Sequence, residues 1–271
     1  MSDSTSKLLH HHRSGHGPHI LLAFHGIGQD GSSCFQSFTT NLSDYYTIYA
    51  FDLFFHGKST HNFTADFSKN DLITKETWAT TIRNFLLREN ISRFDIAGFS
   101  MGGRFALATL ESFSDQIDKA FLIAPDGVSE HPLYTLASRF SPTRGLFRWL
   151  MQHPQALFKT AGSLQKMGMV HSSLYRFTKQ VLNTPEKRLA IYCSWVAFRG
   201  LHFHIPSLYQ TIAARNIKLY LFIGKYDKLL PPSAVKKLSD LLPAEQYLIL
   251  QSGHAMLVEK TAALLPELLA Y

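Results

Sequence analysis

A serine with a glycine two residues to either side, Gly98-Phe99-Ser100-Met101-Gly102, carries the clearest chemistry in this chain. Serine attacks carbonyls poorly until a neighbouring base takes its proton and the chain presents its oxygen at a sharp turn. Residues 94–97 read as a strand and residues 101–110 as a helix, so Ser100 falls at a strand-to-helix reversal. A serine at the tip of such a turn takes strained dihedrals. Its neighbours at minus two and plus two must lack side chains, because chain segments nearly touch there. The helix that begins at this point aims free N–H groups and its positive end at the reacting oxygen. Attack on an ester-like carbonyl is the chemistry such a serine serves.

A nucleophilic serine needs a base and an acid that orients the base, with the acid first in chain order. His254 is the only histidine after His204 and follows an apolar run over residues 246–250. Asp227, in Gly224-Lys225-Tyr226-Asp227-Lys228, follows another apolar run over residues 217–223. Asp126 also ends a strand and is the rival acid. The developing oxyanion requires two donors. One is the backbone N–H of Met101. The other is that of Ile27, in the loop His25-Gly26-Ile27-Gly28 that follows a strand over residues 20–24. His25 is read as bracing that loop rather than as a base.

The elements that must position these groups alternate. Strands are expected over residues 7–13, 20–24, 46–51, 94–97, 120–124, 217–223 and 246–250, and helices over 32–42, 74–89, 101–110, 236–242 and 262–269. Residues 52–59 and 60–70 read as loops. Such alternation predicts a mostly parallel sheet covered by helices, with Ser100, Asp227 and His254 all at C-terminal strand ends. The rhythm breaks after Gly127. Eighty-five residues, 128–212, show helical character and no clear strand apart from an ambiguous stretch at 189–196. Loops of that length without structure are rare, so the expectation is a helical cap over 128–212, inserted into a core made of 1–127 and 213–271. The cap should lie over Ser100, with its aromatics lining an apolar pocket.

These segments together resemble the α/β-hydrolase fold superfamily, in the branch with a helical cap after the sixth strand. The resemblance rests on His25-Gly26, Asp52 with Gly57 and Ser59, Gly98-Phe99-Ser100-Met101-Gly102-Gly103, Gly224 with Asp227 and Pro231, and Gly253-His254. It spans nearly the whole chain in the family's order. It implies a central sheet of about seven strands, Ser100 as nucleophile, Asp227 as acid, His254 as base and Ile27 with Met101 at the oxyanion hole. His25, Gly26, Gly98 and Gly102 would be structural motif residues. The chain departs from the family's Asp-x-x-Gly-x-Gly-x-Ser at Phe55, which stands where the first glycine is usual and could add an aromatic wall to the pocket. The short N-terminus implies a missing or shortened first strand. The implied function is hydrolysis of a small to medium apolar ester through an acyl-enzyme, of the carboxylesterase or small-lipid lipase type. Serine rather than aspartate at position 100 disfavours dehalogenase and epoxide hydrolase chemistry. Carbon–carbon hydrolysis of ring-fission products, cofactor-free haloperoxidation and an inactive small-ligand receptor are the alternatives.

Composition limits the remaining possibilities. In 271 residues, 45% hydrophobic with 21 Phe and 11 Tyr, a large core is affordable and disorder is excluded. The net charge is +7, concentrated in residues 128–212, where ten Lys and Arg face Glu130 and Glu186 alone. That stretch is either a basic helical surface with inward aromatics or an electropositive rim for anionic substrates or lipid headgroups. No nucleic-acid motif accompanies it. Cys34 and Cys193 do not form a disulfide framework, and no signal peptide or membrane span is read, so the expected location is cytoplasmic. No cofactor is expected. No metal is expected either: the run His10-His11-His12, with His16 and His19, reads as a solvent-facing strand or turn.

Overall fold

The apolar runs form one seven-stranded sheet in the computed structural model, which describes residues 8–61, 72–130 and 132–270. The strands are β1 (His11–Ser14), β2 (His19–Phe24), β3 (Tyr46–Phe51), β4 (Phe94–Phe99), β5 (Ile117–Ile123), β6 (Lys218–Gly224) and β7 (Tyr247–Leu250), in the spatial order β1-β3-β2-β4-β5-β6-β7. Only the edge pair β1–β3 is antiparallel; every other neighbouring pair is parallel. Parallel strands must be covered on both faces, which is why β3 and β4 are buried along their whole length.

Among the described residues, four α-helices precede the insertion: α1 (Gly31–Cys34), α2 (Gln36–Leu42), α3 (Lys75–Arg88) and α4 (Gly102–Phe113). The expected single helix over 32–42 breaks at Phe35, which caps one short helix and starts the next. Thr74 caps α3 by accepting from the Thr77 N–H, and Trp78, Ile82, Phe85 and Leu86 give α3 its buried face. Helix α4 is buried at nearly every position, as the segment behind Ser100 in a sheet covered by α3. The loop expected over 60–70 lies, from residue 62 onward, outside the described residues.

The insertion runs through α5 (Pro132–Arg139), α6 (Ser141–Gln152), α7 (Pro154–Lys166), α8 (Ser172–Val181), α9 (Pro185–Ala197) and α10 (Ile205–Ala214). The ambiguous stretch at 189–196 is helical: Thr184 caps α9, and Pro185 sits in the first turn, where its missing N–H costs nothing. Phe147, Met151, Leu182, Ile191, Tyr192, Cys193 and Val196 form a second hydrophobic cluster within this insertion. The chain then closes through β6, α11 (Lys236–Ser239), β7 and α12 (Leu257–Leu269), which packs on α2. The expected helix over 236–242 is thus a single turn, preceded by a 3-10 turn at Pro232–Val235. Among the described residues the insertion follows β5, and the four-residue β1 is the one strand ahead of β2.

Candidate active site

Strand β4 ends at Phe99 and α4 begins at Gly102, so Ser100 and Met101 alone make the reversal between them. Ser100 takes φ 51°, in the left-handed region that side chains avoid. The end of β5 holds that strain in place. The Ser100 N–H donates to the Ile123 carbonyl at 2.9 Å, and the Ser100 carbonyl accepts from the N–H groups of Gly103 and Asp126, each at 2.8 Å. A Cβ at Gly102 would stand 1.9 Å from the Phe24 carbonyl oxygen, and one at Gly98 would stand 2.7 Å from the Ala106 Cβ. Both positions therefore need glycine because the segments touch.

Three distant parts of the chain meet at this turn. His254 Nε2 lies 3.1 Å from Ser100 Oγ, and His254 Nδ1 lies 2.6 Å from Asp227 Oδ2. The Asp227 carboxylate accepts the Nδ1 hydrogen, which leaves Nε2 with a lone pair facing the serine hydroxyl. Asp227 is buried, and its other oxygen accepts from the Leu229 and Leu230 N–H groups at 2.8 and 2.9 Å, so the loop after β6 fixes its orientation. The loops after β6 and β7 are tied together by Lys225 N–H to Leu250 O and Tyr226 N–H to Ser252 O. The Phe99 ring, 4.8 Å from the imidazole, supports it from β4. Asp126, the rival acid, is engaged elsewhere: both of its oxygens accept from Arg104, at 2.6 and 3.2 Å.

The His25-Gly26-Ile27-Gly28 loop is shaped by a fully buried imidazole. His25 Nδ1 donates to the Gly26 carbonyl at 2.7 Å, and Nε2 accepts from the Leu53 N–H at 3.0 Å. Burial pushes its pKa down, which keeps the ring neutral in that bridging form. Gln29 closes the loop by accepting from the Gly26 N–H. Among the described residues, the N–H groups of Ile27 and Met101 have no hydrogen-bond partner within the protein.

A cavity of about 490 Å³ opens over Ser100 and His254. Its apolar wall comes from Ile27, Phe99, Leu174, Phe177, Val181 and Leu229, and its polar groups include Gln29, Gln180, Lys187 and Lys228. The insertion roofs it through α8 and the start of α9. The expectation that the insertion's aromatics line the pocket needs correction: of twelve, only Phe177 reaches it. Tyr134, Phe147, Tyr192 and Trp195 instead pack edge-on or tilted against one another, because a helical excursion of this length must bury a core of its own. Phe55 likewise is no pocket wall. It takes φ 66° where glycine would be unstrained, and its ring stacks on Phe198 between core and insertion.

Arg104 was not among the residues singled out from sequence, yet it joins the turn to the insertion. Its guanidinium is buried, binds Asp126, donates to the Leu201 carbonyl at 2.8 Å and lies 4.4 Å from the Tyr134 ring centroid. Although burial disfavours the charge, Asp126 beside it keeps the pKa above the usual arginine value. The signal was present in the sequence: one charge at the head of Phe105-Ala106-Leu107-Ala108 must find an acid when the helix is buried.

The alpha/beta hydrolase fold family matches this chain over residues 19–261, and the chain belongs to that family. Among curated relatives, the pimeloyl-[acyl-carrier protein] methyl ester esterase of Vibrio atlanticus is 25% identical over 98% of each chain. Among solved structures, a thermophilic esterase from Thermogutta terrifontis superposes with a TM-score of 0.68 at 18% identity, covering 97% of this chain and 93% of its own. A meta-cleavage product hydrolase from Pseudomonas fluorescens superposes with a TM-score of 0.58 at 19% identity, covering 96% and 93%.

Proposed function

We propose that this protein is a serine hydrolase that cleaves a small to medium apolar carboxylic ester through an acyl-enzyme. The observation that carries the reading is the hydrogen-bonded chain Ser100–His254–Asp227 at the floor of an apolar cavity. In this reading His254 Nε2 takes the Ser100 proton as Oγ bonds to the carbonyl carbon, and Asp227 stabilises the imidazolium that forms. The partnerless N–H groups of Ile27 and Met101 receive the oxyanion. His254 then gives its proton to the departing alcohol, the carbon–oxygen bond breaks, and an acyl group remains on Ser100. Water, deprotonated by the same imidazole, releases the acid and restores the serine.

The cavity supports the substrate class. Six apolar side chains around the nucleophile favour an acyl or alkyl chain, and a volume near 490 Å³ fits a small ligand rather than a polymer. The family membership and a full-length relative named as a methyl ester esterase support ester chemistry. The insertion over residues 128–212 acts as the lid in this scheme, since Phe177 and Val181 face the reacting groups. A fluorophosphonate probe should label wild-type protein and not Ser100→Ala. A series of p-nitrophenyl esters from acetate to palmitate should show turnover, and a 2-hydroxy-6-oxo-dienoate run beside them should not. No labelling, or turnover of the dienoate alone, rejects the ester reading.

A further inference from the structure

We propose that His10, His12 and Asp52 form a binding site for one divalent transition-metal ion of the zinc type, clamping the edge strand β1 to the loop that follows β3. Strand register builds the cluster. His11 pairs with Phe51 and His12 with Ala50 across the antiparallel β1–β3 ladder, and the Asp52 N–H donates to the His10 carbonyl. Side chains alternate along a strand, so His10, His12, Ala50 and Asp52 share one face while His11 turns to the other. There the His11 ring packs edge-on to Phe85. Ala50, opposite His12, presents only a methyl group, and the His10 and His12 rings meet edge to face with centroids 4.6 Å apart.

The distances suit an ion. His10 Nδ1 lies 3.1 Å and His12 Nε2 3.5 Å from Asp52 Oδ2, and all three atoms lie within 4.8 Å of one another. Ligands held about 2.0–2.1 Å from a tetrahedral zinc stand about 3.4 Å apart. The two nitrogen-to-oxygen separations already match, and one ligand atom from each of the three residues lies within 4.8 Å of the others. Two imidazoles with one carboxylate is a donor set that suits zinc, nickel or copper rather than calcium or magnesium.

The carboxylate is held ready. Asp52 Oδ1 accepts from the Gly31 N–H at 2.9 Å, and Oδ2 accepts from the Lys58 N–H at 2.8 Å. One lone pair of Oδ2 is therefore committed to the backbone, while the other faces the imidazoles. Such outer hydrogen bonds fix a ligand's orientation before the ion arrives. The Asp52 side chain is 1% exposed, whereas His10 and His12 keep 31% and 28%, so the ion has a route from solvent and room for a water ligand. In the metal-free protein the His10 Nδ1 hydrogen rests on Asp52. Binding shifts that proton to Nε2 of the same ring, and the freed Nδ1 lone pair bonds to the ion. One N–H bond of the ring breaks as the other forms, and no oxidation state changes.

The test is titration of the full-length protein, prepared without a polyhistidine tag, with zinc chloride by isothermal calorimetry. One ion per chain should bind. His10→Gln and His12→Gln should each weaken binding about tenfold or more, the scale on which ligand-sphere changes alter metal affinity. His16→Gln and His19→Gln, exposed histidines outside the cluster, should leave the isotherm unchanged. Zinc should also raise the melting temperature of wild type and fail to raise that of the double variant His10→Gln/His12→Gln. An isotherm that survives the double variant, or one weakened equally by His16→Gln, means surface histidines bind the ion adventitiously and overturns the site. Asp52→Asn is not used as the deciding variant, because it also unseats the Gly31 and Lys58 backbone contacts.

Discussion

Arg104→Met removes a buried cation that ties α4 to Asp126, just before the insertion, and to the Leu201 carbonyl near its end. Taking one partner from a buried ion pair costs about 3–5 kcal/mol, because the other charge is left uncompensated. Here the Asp126 side chain retains 26% exposure, so water can reach the abandoned carboxylate and the lower end applies, about 3 kcal/mol. The Leu201 carbonyl also loses its buried donor, worth about 1 kcal/mol, for a total of about 4 kcal/mol. A domain is stable by only about 5–15 kcal/mol, so the variant should fold with a strongly reduced margin. Urea unfolding should show a lower midpoint at unchanged slope, since the area exposed on unfolding is the same. Asp126→Asn in the Arg104→Met background should cost far less than in wild type, the non-additivity expected of a contacting pair. Arg93→Met, which breaks a surface pair with Asp118, should leave the midpoint where it was. A loss below about 1 kcal/mol for Arg104→Met would show that the guanidinium network is incidental to stability.

Four further outcomes are expected. Ser100→Ala should reduce kcat/KM by several orders of magnitude with an unchanged melting temperature; retention of more than about a tenth of activity removes the nucleophile assignment. Asp227→Asn should lower kcat far more than Asp126→Asn, measured on the same ester, and the reverse ranking would mean the acid lies after β5. His56 is buried with Nε2 lacking a hydrogen-bond partner among the described residues, and burial drives its pKa from 6.5 down to about 3. Because the unfolded chain then binds the extra proton, stability is complete above pH 6.5 and falls as pH drops toward 3, by up to about 1.4 kcal/mol per unit. Urea midpoints at pH 7.5 and 5 should differ less in His56→Phe, and an equal difference refutes this origin. Lys187→Gln should raise KM for an ester bearing a distal carboxylate and leave a neutral ester of similar size unchanged. Raising salt should mimic it, since the Debye length shrinks from about 20 to about 4 Å between 20 and 500 mM; equal responses of both esters end the idea of anion recognition.

The sheet was legible because parallel strands buried on both faces read as unbroken apolar runs. Tyr46–Phe51 stood out residue for residue. Ser100 was legible for a related reason: its glycines answer to close contacts, with the Phe24 carbonyl and the Ala106 Cβ, that permit no other residue. The break at Phe35 was not legible, since Ser32 to Leu42 carries no proline or mid-helix glycine and the interruption depends on how Phe35 packs in the core. The aromatics of the insertion misled for the opposite reason. Composition reports that Tyr134, Phe147 and Trp195 will be buried, but a ligand wall and a private core ask for the same side chains. Only tertiary contact separates the two. The His10, His12 and Asp52 cluster was hidden because it joins positions forty residues apart, through a register that no local pattern encodes.

The chain leaves β5 past Asp126 and comes back beside it at Leu201, ahead of α10 and the crossing to β6, and the single Arg104 guanidinium binds both points. A detour whose two feet stand side by side places no demand on its own span. Its helices can lengthen, shrink or be exchanged between lineages while strand order and the Ser100 turn stay as they are. The Ser100 turn and the helices above it can thus vary separately. Insertions or deletions between the feet should alter what the cavity over Ser100 admits and leave the sheet intact, whereas the same changes within the strands should break it.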